Sequence, residues 1–506
     1  MLNFSKIHGG VHPEQFKGLT AGSPISTPEL PQHLYVPLKQ HAGSEAIAIV
    51  EKGEYVLKGQ LIGKANGNFS ANVHAPSSGI VKAVEPVLAP HPSGLESLSV
   101  VIELDGEDQW PQNSRADDPF NIAPEVLAKR VSDGGIVGMG GASFPAAVKL
   151  QAARRANLET LLINGGECEP YLTSDDRLMQ ERAVDIIRGA RLIQHITSCK
   201  QIIIAVEDNK PKAIKALKNA ATEWKKVEVV SVPSVYPMGS SKQIVQAVIG
   251  KEIPANSRTT EMGVLIHNVA TAFAINACLT KSQPLISRIA TIAGGAIAVP
   301  QNVEALIGTP IAHLIKHCGG YSQTPDRIVL GGPMMGQLMP SDQVPLIKGA
   351  GGVLALLKDE TPQDNSSPCI RCGRCVSACP MGLVPLEMAK HSKIHDYDGA
   401  QGYGLKDCIL CGSCAYVCPS HIPLVHYFQY AKGELSKQSV LDQRREYTKE
   451  LASSRNARVE KEAAEKAAAR AAKAAAKAAA KNKRRGKTAG EETASELTNT
   501  SKTTSE

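Results

Sequence analysis

The run Cys369-Ile-Arg-Cys372-Gly-Arg-Cys375-Val-Ser-Ala-Cys379-Pro380 returns as Cys408-Ile-Leu-Cys411-Gly-Ser-Cys414-Ala-Tyr-Val-Cys418-Pro419. Eight of the chain's 12 cysteines stand in these two segments. Three thiolates at x2 spacing wrap three corners of a cubane in a tight loop. The x3 step then carries a fourth cysteine into a helix that reaches across to the other cluster. The spacing therefore predicts two [4Fe–4S] clusters. One rests on Cys369, Cys372, Cys375 and Cys418, the other on Cys408, Cys411, Cys414 and Cys379. Tetrahedral zinc needs only two C-x2-C hooks and has no use for the third and fourth cysteines or the prolines. Gly373 and Gly412 permit close backbone approach, so amides can bond the cluster sulfurs. Met1 to Gly10 holds no apolar signal run, so the crowded cysteines read as metal ligands rather than disulfides.

Downstream of the cysteines, from about residue 433, the chain is helical and polar. From Lys461 it becomes Ala/Lys/Arg repeats and then a Gly/Thr/Ser/Glu end, with no apolar face to bury. Between Lys437 and Glu506 there are 17 basic and 10 acidic residues, the whole of the +7 net charge. The preceding residues carry 39 of each sign, so the basic balance is a property of the tail. The tail reads either as a cationic helix drawn to an anionic membrane surface or as a solvated spacer. Between Lys466 and Lys487 it has no aromatic interleaving, and it carries no nucleic-acid recognition motif.

The chain's 506 residues predict several domains. Mean hydropathy is −0.14. No apolar run approaches the ~20 residues of a membrane helix. These values argue against an integral membrane protein, a secreted disulfide mini-protein and a wholly disordered chain. Upstream, short β-prone runs with frequent turns (Ala46–Val50, Tyr55–Val56, Gly59–Ile62, His74–Val81) predict an all-β module over 1–115. Its half-repeats resemble lipoyl/biotinyl barrels. Ser70-Ala-Asn-Val73 has no lysine where such carriers are modified. Over 116–282, strand-like runs at 160–164, 201–206, 227–232 and 264–268 alternate with helices expected near 145–156, 176–195, 211–223, 240–250 and 269–280. That alternation predicts a parallel, Rossmann-like α/β domain with ligands at the strand carboxyl ends. Residues 283–360 read as a small α+β module, 361–432 as the cluster domain and 433–506 as the tail.

Two motifs in the α/β part carry chemistry. Gly138-Met-Gly140-Gly141-Ala-Ser-Phe144-Pro145 follows a short strand and opens a helix, with Lys149 one turn in. Glycine amides at a helix N-terminus make an anion site; an ordinary turn is the plainer reading. Asn164-Gly-Gly-Glu167-Cys168-Glu169-Pro170 follows a strand directly. Two acids and an amide there suit a flavin edge and a ribose, and again a plain acidic turn is the alternative. Cys199, Cys278 and Cys318 read as small buried hydrophobes. His8, His12, His74 and His267 read as structural, and no catalytic constellation stands out.

Together the two motifs resemble the FMN- and NADH-binding subunit of respiratory complex I. Gly138, Gly140, Gly141, Ala142, Phe144, Pro145 and Lys149 match that family's glycine loop, and Asn164, Glu167, Glu169 and Pro170 its acidic turn. Tyr236-Pro-Met-Gly239 and Asn268-Val269 resemble its tyrosine loop and Asn-Asn-Val turn. Ser143 replaces a Gly, Gly166 an Asp, His267 the first Asn, and Ser240 and Ser241 two glutamates. The order of modules over residues 1–432 resembles the RnfC/RsxC family of the Rnf/Rsx ion-translocating electron-transport complex. The resemblance implies a β-grasp-like ligand-binding module at 283–360 and a double [4Fe–4S] ferredoxin domain. It implies FMN as cofactor and NADH as substrate, with Lys149 at the flavin phosphate, Phe144 by the nicotinamide and Glu169 by the ribose or carboxamide. It also implies a peripheral place on the cytoplasmic side of the cell inner membrane, among other subunits of the complex and a ferredoxin-type electron-transfer subunit. Coupled ion movement and, in some bacteria, maintenance of reduced SoxR belong to the same implication. Two other readings stay open: a flavin-free iron–sulfur scaffold, and a flavin NADH dehydrogenase acting alone.

Overall fold

The computed structural model describes residues 7–67, 69–111, 117–141, 143–255, 257–361 and 365–499. Ala142 of the glycine loop and residues 500–506 of the expected Gly/Thr/Ser/Glu end lie outside them. Met1–Gln429 forms one compact unit and Tyr430–Glu506 a second.

Four β-branched runs build a parallel sheet. In spatial order the strands are Val227–Val232, Gln201–Glu207, Thr160–Gly165 and Val264–Asn268. The two inner strands, Gln201–Glu207 and Thr160–Gly165, are buried on both faces, which is why they read as near-continuous apolar runs, whereas the edge strand Val227–Val232 exposes Glu228 and Ser231. Side chains alternate between the faces. Leu161, Ile163, Ile202, Ile204 and Leu265 join the core beneath the helices Ala146–Arg154, Ala183–Thr197, Pro211–Ala221 and Val269–Lys281. Leu162, Ile203, Ala205, Val264 and Ile266 face the other way, toward the helix Ser241–Ile249. Two of the covering helices approach closely at Gly189, where a Cβ would overlap the Ala272 carbonyl. In chain order the sheet reads 3-2-1-4. Its direction of growth therefore reverses between Thr160–Gly165 and Val264–Asn268, where crevices open at strand carboxyl ends.

The N-terminal module holds two small sheets. One is antiparallel: His33–Pro37, Glu96–Leu104, Gly79–Leu88 and Tyr55–Val56. The other pairs Ile47–Ala48, Leu61–Lys64 and Val73–His74. Leu34, Val36, Ile62 and Val100 belong to the same continuous core as Leu161 and Ile204, so this module and the α/β layer are packed as one body. Residues Ser287–Leu356 supply a five-stranded mixed sheet with its own core around Ile292, Val303, Leu314 and Val353.

Some expected elements differ. The helix expected over 176–195 is two, Ser174–Glu181 and Ala183–Thr197. Arg182 leaves helical geometry at φ −129°, while the Glu181 carboxylate is drawn to the Ile25 amide and Arg177. The strand expected at 46–50 shortens to Ile47–Ala48, and that at 59–62 shifts to Leu61–Lys64, because Gly59 turns the chain at φ +78°. The cysteine segments feed the short helices Arg374–Ser377 and Ser413–Tyr416. Gly373 and Gly412 enter these helices at φ +74° and +82°. Left-handed backbone, not crowding alone, is what asks for glycine there: a Cβ on Gly373 would meet nothing, whereas one on Gly412 would lie 3.0 Å from the Met334 carbonyl oxygen. The tail helix begins earlier than expected, at Leu424, and runs to Asn499.

Candidate functional site

The reversal of sheet order sets Asn164 and Asn268 side by side in register at the strand ends. Asn268 caps its helix by accepting from the Ala270 amide at 2.8 Å and donates to Asp175 at 2.6 Å. The glycine loop folds against it: a Cβ on Gly140 would stand 2.9 Å from the Asn268 Cβ. Within the loop the Gly138 amide donates to the Phe144 carbonyl at 2.8 Å and the Met139 amide to Thr271 at 3.0 Å. The Gly140 and Gly141 amides have no acceptor among the described residues, and a Cβ on Gly141 would meet open space. Unspent amides beside a helix N-terminus suit a phosphate. Arg288, fully buried, holds the loop from behind by donating to the carbonyls of Met139 and Ala350, each at 3.0 Å.

Two loop residues lie differently from a simple carry-over. The Lys149 ammonium donates to the Ile266 carbonyl inside the protein, and burial lowers its pKa to about 8. Phe144 is part-exposed, its ring 6.0 Å from that of Phe69.

The acidic turn is held by a residue far away in sequence. The Lys17 ammonium donates to the carbonyls of Glu167, Glu169 and Leu172 at 2.8, 2.8 and 2.7 Å. Buried Lys210 pairs with Glu207 and also reaches the Glu167 carbonyl. Asn164 closes the turn by accepting from the Gly166 amide and donating to the Gly239 carbonyl, both at 2.8 Å. Glu167 spends its carboxylate on the start of a helix, accepting from Ser174 and the Asp175 and Asp176 amides. Glu169 accepts from the Met334 and Met335 amides at 3.0 and 2.9 Å. Burial outweighs these bonds and pushes its pKa up to about 7. Asp175 rises to about 6 from burial and then from Glu167, against Arg288 and Asn268.

Tyr236 links this turn to the cysteines. It lies beside Val11, Ala378 and Cys411, with Cys168 packed against the same cluster. Its hydroxyl donates to the Cys411 carbonyl at 2.6 Å. The Gly10 amide donates to the Ala378 carbonyl at 3.1 Å, and Gly9 lies so close to the Cys379 carbonyl that a Cβ would meet it at 2.6 Å.

The cysteines line two separate cavities, divided across the repeats. Cys379, Cys408, Cys411 and Cys414 line one, and Cys369, Cys372, Cys375 and Cys418 the other. Burial, and then the neighbouring Cys411, Cys408 and Cys379, push the Cys414 thiol above its ordinary value. Cys375 is likewise raised by burial and then by Cys369 and Cys418. Thiols that crowd one another in this way suit a metal-borne cluster that takes them as thiolates. The first cradle is the inner one: Cys379, Cys411 and Cys414 are buried, whereas Cys369 and Cys372 are exposed.

Gly138, Gly140, Asn164, Glu167, Glu169, Tyr236 and Asn268 are tied together by these contacts around the sheet reversal, the acidic turn and its link to Cys411, with Gly141 next in the glycine loop, whereas Lys149 turns inward to Ile266 and Phe144 lies exposed by Phe69. Lys17, Asp175, Thr271 and Arg288 join them without having been singled out. An arginine, the one charged residue in the strand Ser287–Ala293, was the one local signal available. His74 and His267 are buried and neutral, their pKa values lowered chiefly by burial.

Family models match in the same order as the modules. The RnfC barrel sandwich hybrid domain covers residues 5–107. The Nuo51 FMN-binding domain covers 131–277, the SLBB domain 289–338 and the 4Fe-4S dicluster domain 368–422. A relative from Rhodobacter capsulatus, named as the C component of an ion-translocating oxidoreductase complex, is 49% identical over 439 residues, 86% of this chain and 84% of that one. The Serratia proteamaculans protein of the same name is 42% identical over 90% of this chain and 64% of its own length. The Haemophilus influenzae protein is 40% identical over 90% and 70%. The FMN-binding and dicluster domains make FMN and two [4Fe–4S] clusters the cofactors. With that identity over most of both chains, this protein belongs to the RnfC family, the C components of ion-translocating oxidoreductase complexes, and is an electron-transport subunit of the Rnf complex.

Proposed function

We propose that the chain exchanges electrons between NADH and a ferredoxin-type partner, with the flavin at the sheet reversal and the two clusters leading away from it. Bound FMN takes two electrons from a nicotinamide and releases them singly. The chain's own residues bind and orient. The Gly140 and Gly141 amides, with Gly138 shaping the loop, would hold the flavin phosphate. Lys149, one turn inside, would add positive potential from behind rather than a direct contact. Asn164 and Asn268 would border the ring. Glu167 would keep the turn in place through its helix cap, and Glu169 would face the ribose or carboxamide. Phe144, part-exposed at the loop's edge, would lie by the nicotinamide.

The observation that carries this reading is the Tyr236 bond to the Cys411 carbonyl, which ties the flavin side to the inner cradle. On that reading the cluster on Cys379, Cys408, Cys411 and Cys414 stands next to the flavin. The cluster on Cys369, Cys372, Cys375 and Cys418 faces outward to the partner. The modules would divide at 1–115, 116–282, 283–360, 361–432 and 433–506. The finer architectures would be lipoyl-like, Rossmann-like, β-grasp-like and double-ferredoxin, followed by the tail. No helix among the described residues is long and apolar enough to cross a membrane. That fits a peripheral subunit, which we place on the cytoplasmic side of the inner membrane. Ion coupling comes with the relatives' name, and support of SoxR with the resemblance alone.

The order is tested by Cys369→Ser and Cys411→Ser variants reduced anaerobically with NADH and read by electron paramagnetic resonance. Cys369→Ser should keep a reducible inner cluster. Cys411→Ser should leave the outer cluster oxidised while the flavin still reduces. An outer cluster reduced normally in Cys411→Ser would overturn the order.

A further inference from the structure

The described residues of the second compact unit belong to a single helix, exposed along residues 436–486. Its cations are not scattered. Lys466, Arg470, Lys473, Lys477 and Lys481 follow one another at spacings of four, three, four and four. At about 100° per residue these five fall within an arc of about 80°, and at 1.5 Å rise they extend over about 22 Å. The residues between them, from 467 to 480, are all alanine. No acid occurs between Lys466 and Lys487, where nine basic residues stand. Over 466–481 the helix thus presents a straight row of long, flexible cations on one side and methyl groups on the others. It has no aromatic or large aliphatic residue there with which to insert.

We propose that this row is a docking face for the anionic lipid surface of the membrane on which the complex works. The inference rests on the reading of the chain as a peripheral subunit. A flat, negatively charged plane is what a single straight row of cations complements. A helix built to insert would carry a hydrophobic stripe. A reader of nucleic acid would add stacking rings or base-reading side chains, and the segment has neither. Attachment through such a row is reversible and weakens with salt.

The test is co-sedimentation of the full chain with vesicles of 30 mol% phosphatidylserine in phosphatidylcholine, and with phosphatidylcholine alone. Two variants accompany it. In one, Lys466, Arg470, Lys473, Lys477 and Lys481 are all replaced by Gln. In the other, Lys473→Ala with Ala475→Lys and Lys477→Ala with Ala479→Lys keep the charge but break the row. At about fivefold per cation near the surface, the Gln variant should bind phosphatidylserine vesicles at least 100-fold more weakly. The rearranged variant should lose about tenfold, and phosphatidylcholine vesicles should bind none of the three. Binding of the rearranged variant equal to that of the unaltered chain would overturn the role of the row. So would tighter binding to a duplex DNA of matched charge than to the vesicles, or no vesicle binding at all. NADH-dependent bleaching measured on the same samples keeps the two readings apart. If the chain bleaches normally without binding vesicles, only the docking face fails.

Discussion

Glu169 is a part-buried carboxylate in the acidic turn, held by the amides of Met334 and Met335. Its pKa rises from the ordinary 4.5 to about 7. Between those values the native state holds a proton that the unfolded chain has released, so this residue's contribution to stability falls as pH rises through that window. At about 1.4 kcal/mol per pH unit the loss is on the order of 3 kcal/mol. Glu169→Gln keeps the shape and removes the titration. Urea midpoints measured from pH 5 to pH 8 should therefore show a smaller decline for Glu169→Gln than for the unaltered chain. Lys17 acts on the same turn through three carbonyls. Lys17→Met removes all three bonds and leaves the Glu167 carbonyl only its longer contact to Lys210, at a cost of several kcal/mol, and should release FMN. Fluorescence of the filtrate after gel filtration would show it. Lys17 could not be read as part of the site, because nothing near it in sequence points to a partner 150 residues away. Glu167 was legible as a site residue through its motif, yet its carboxylate turns out to cap a helix.

Among the elements, periodicity was a sound guide where burial was two-sided. The runs at 160–164, 201–206, 227–232 and 264–268 read as strands of a parallel sheet, and they lie in that sheet almost residue for residue. What periodicity could not show was their spatial order, which depends on contacts between distant segments. The reversal that pairs Asn164 with Asn268 is visible only in the fold. The break at Arg182 was hidden for a similar reason: the pull on Glu181 comes from the Ile25 amide. The close contact between the helices Ala183–Thr197 and Val269–Lys281 turns on Gly189. Gly189→Ala would force a methyl group into the Ala272 carbonyl. It should destabilise the α/β layer by about 3 kcal/mol, the upper range for overpacking, seen as a lower urea midpoint with the cluster absorbance unchanged.

For the whole molecule, the cysteine spacing alone pointed to ligands divided across the repeats, and the eight cysteines line two cavities in that same division. The spacing could not tell which cluster lies inward, because that depends on Tyr236, Gly9 and Gly10 from other modules meeting Cys411, Cys379 and Ala378. The continuous core beneath the barrel and the α/β layer gives the flavin side a rigid frame. The mixed sheet contributes Arg288 behind the glycine loop and the Met334 and Met335 amides above Glu169. A frame of this kind holds donor and acceptor at fixed distance, which is what stepwise electron transfer requires. The most direct test is an anaerobic titration of the purified full chain with NADH, followed by visible absorbance. If electrons pass from NADH through the flavin to the clusters, a flavin band and the broad iron–sulfur band both bleach. An iron–sulfur band that is present but does not bleach, with no flavin released on denaturation, would contradict that path.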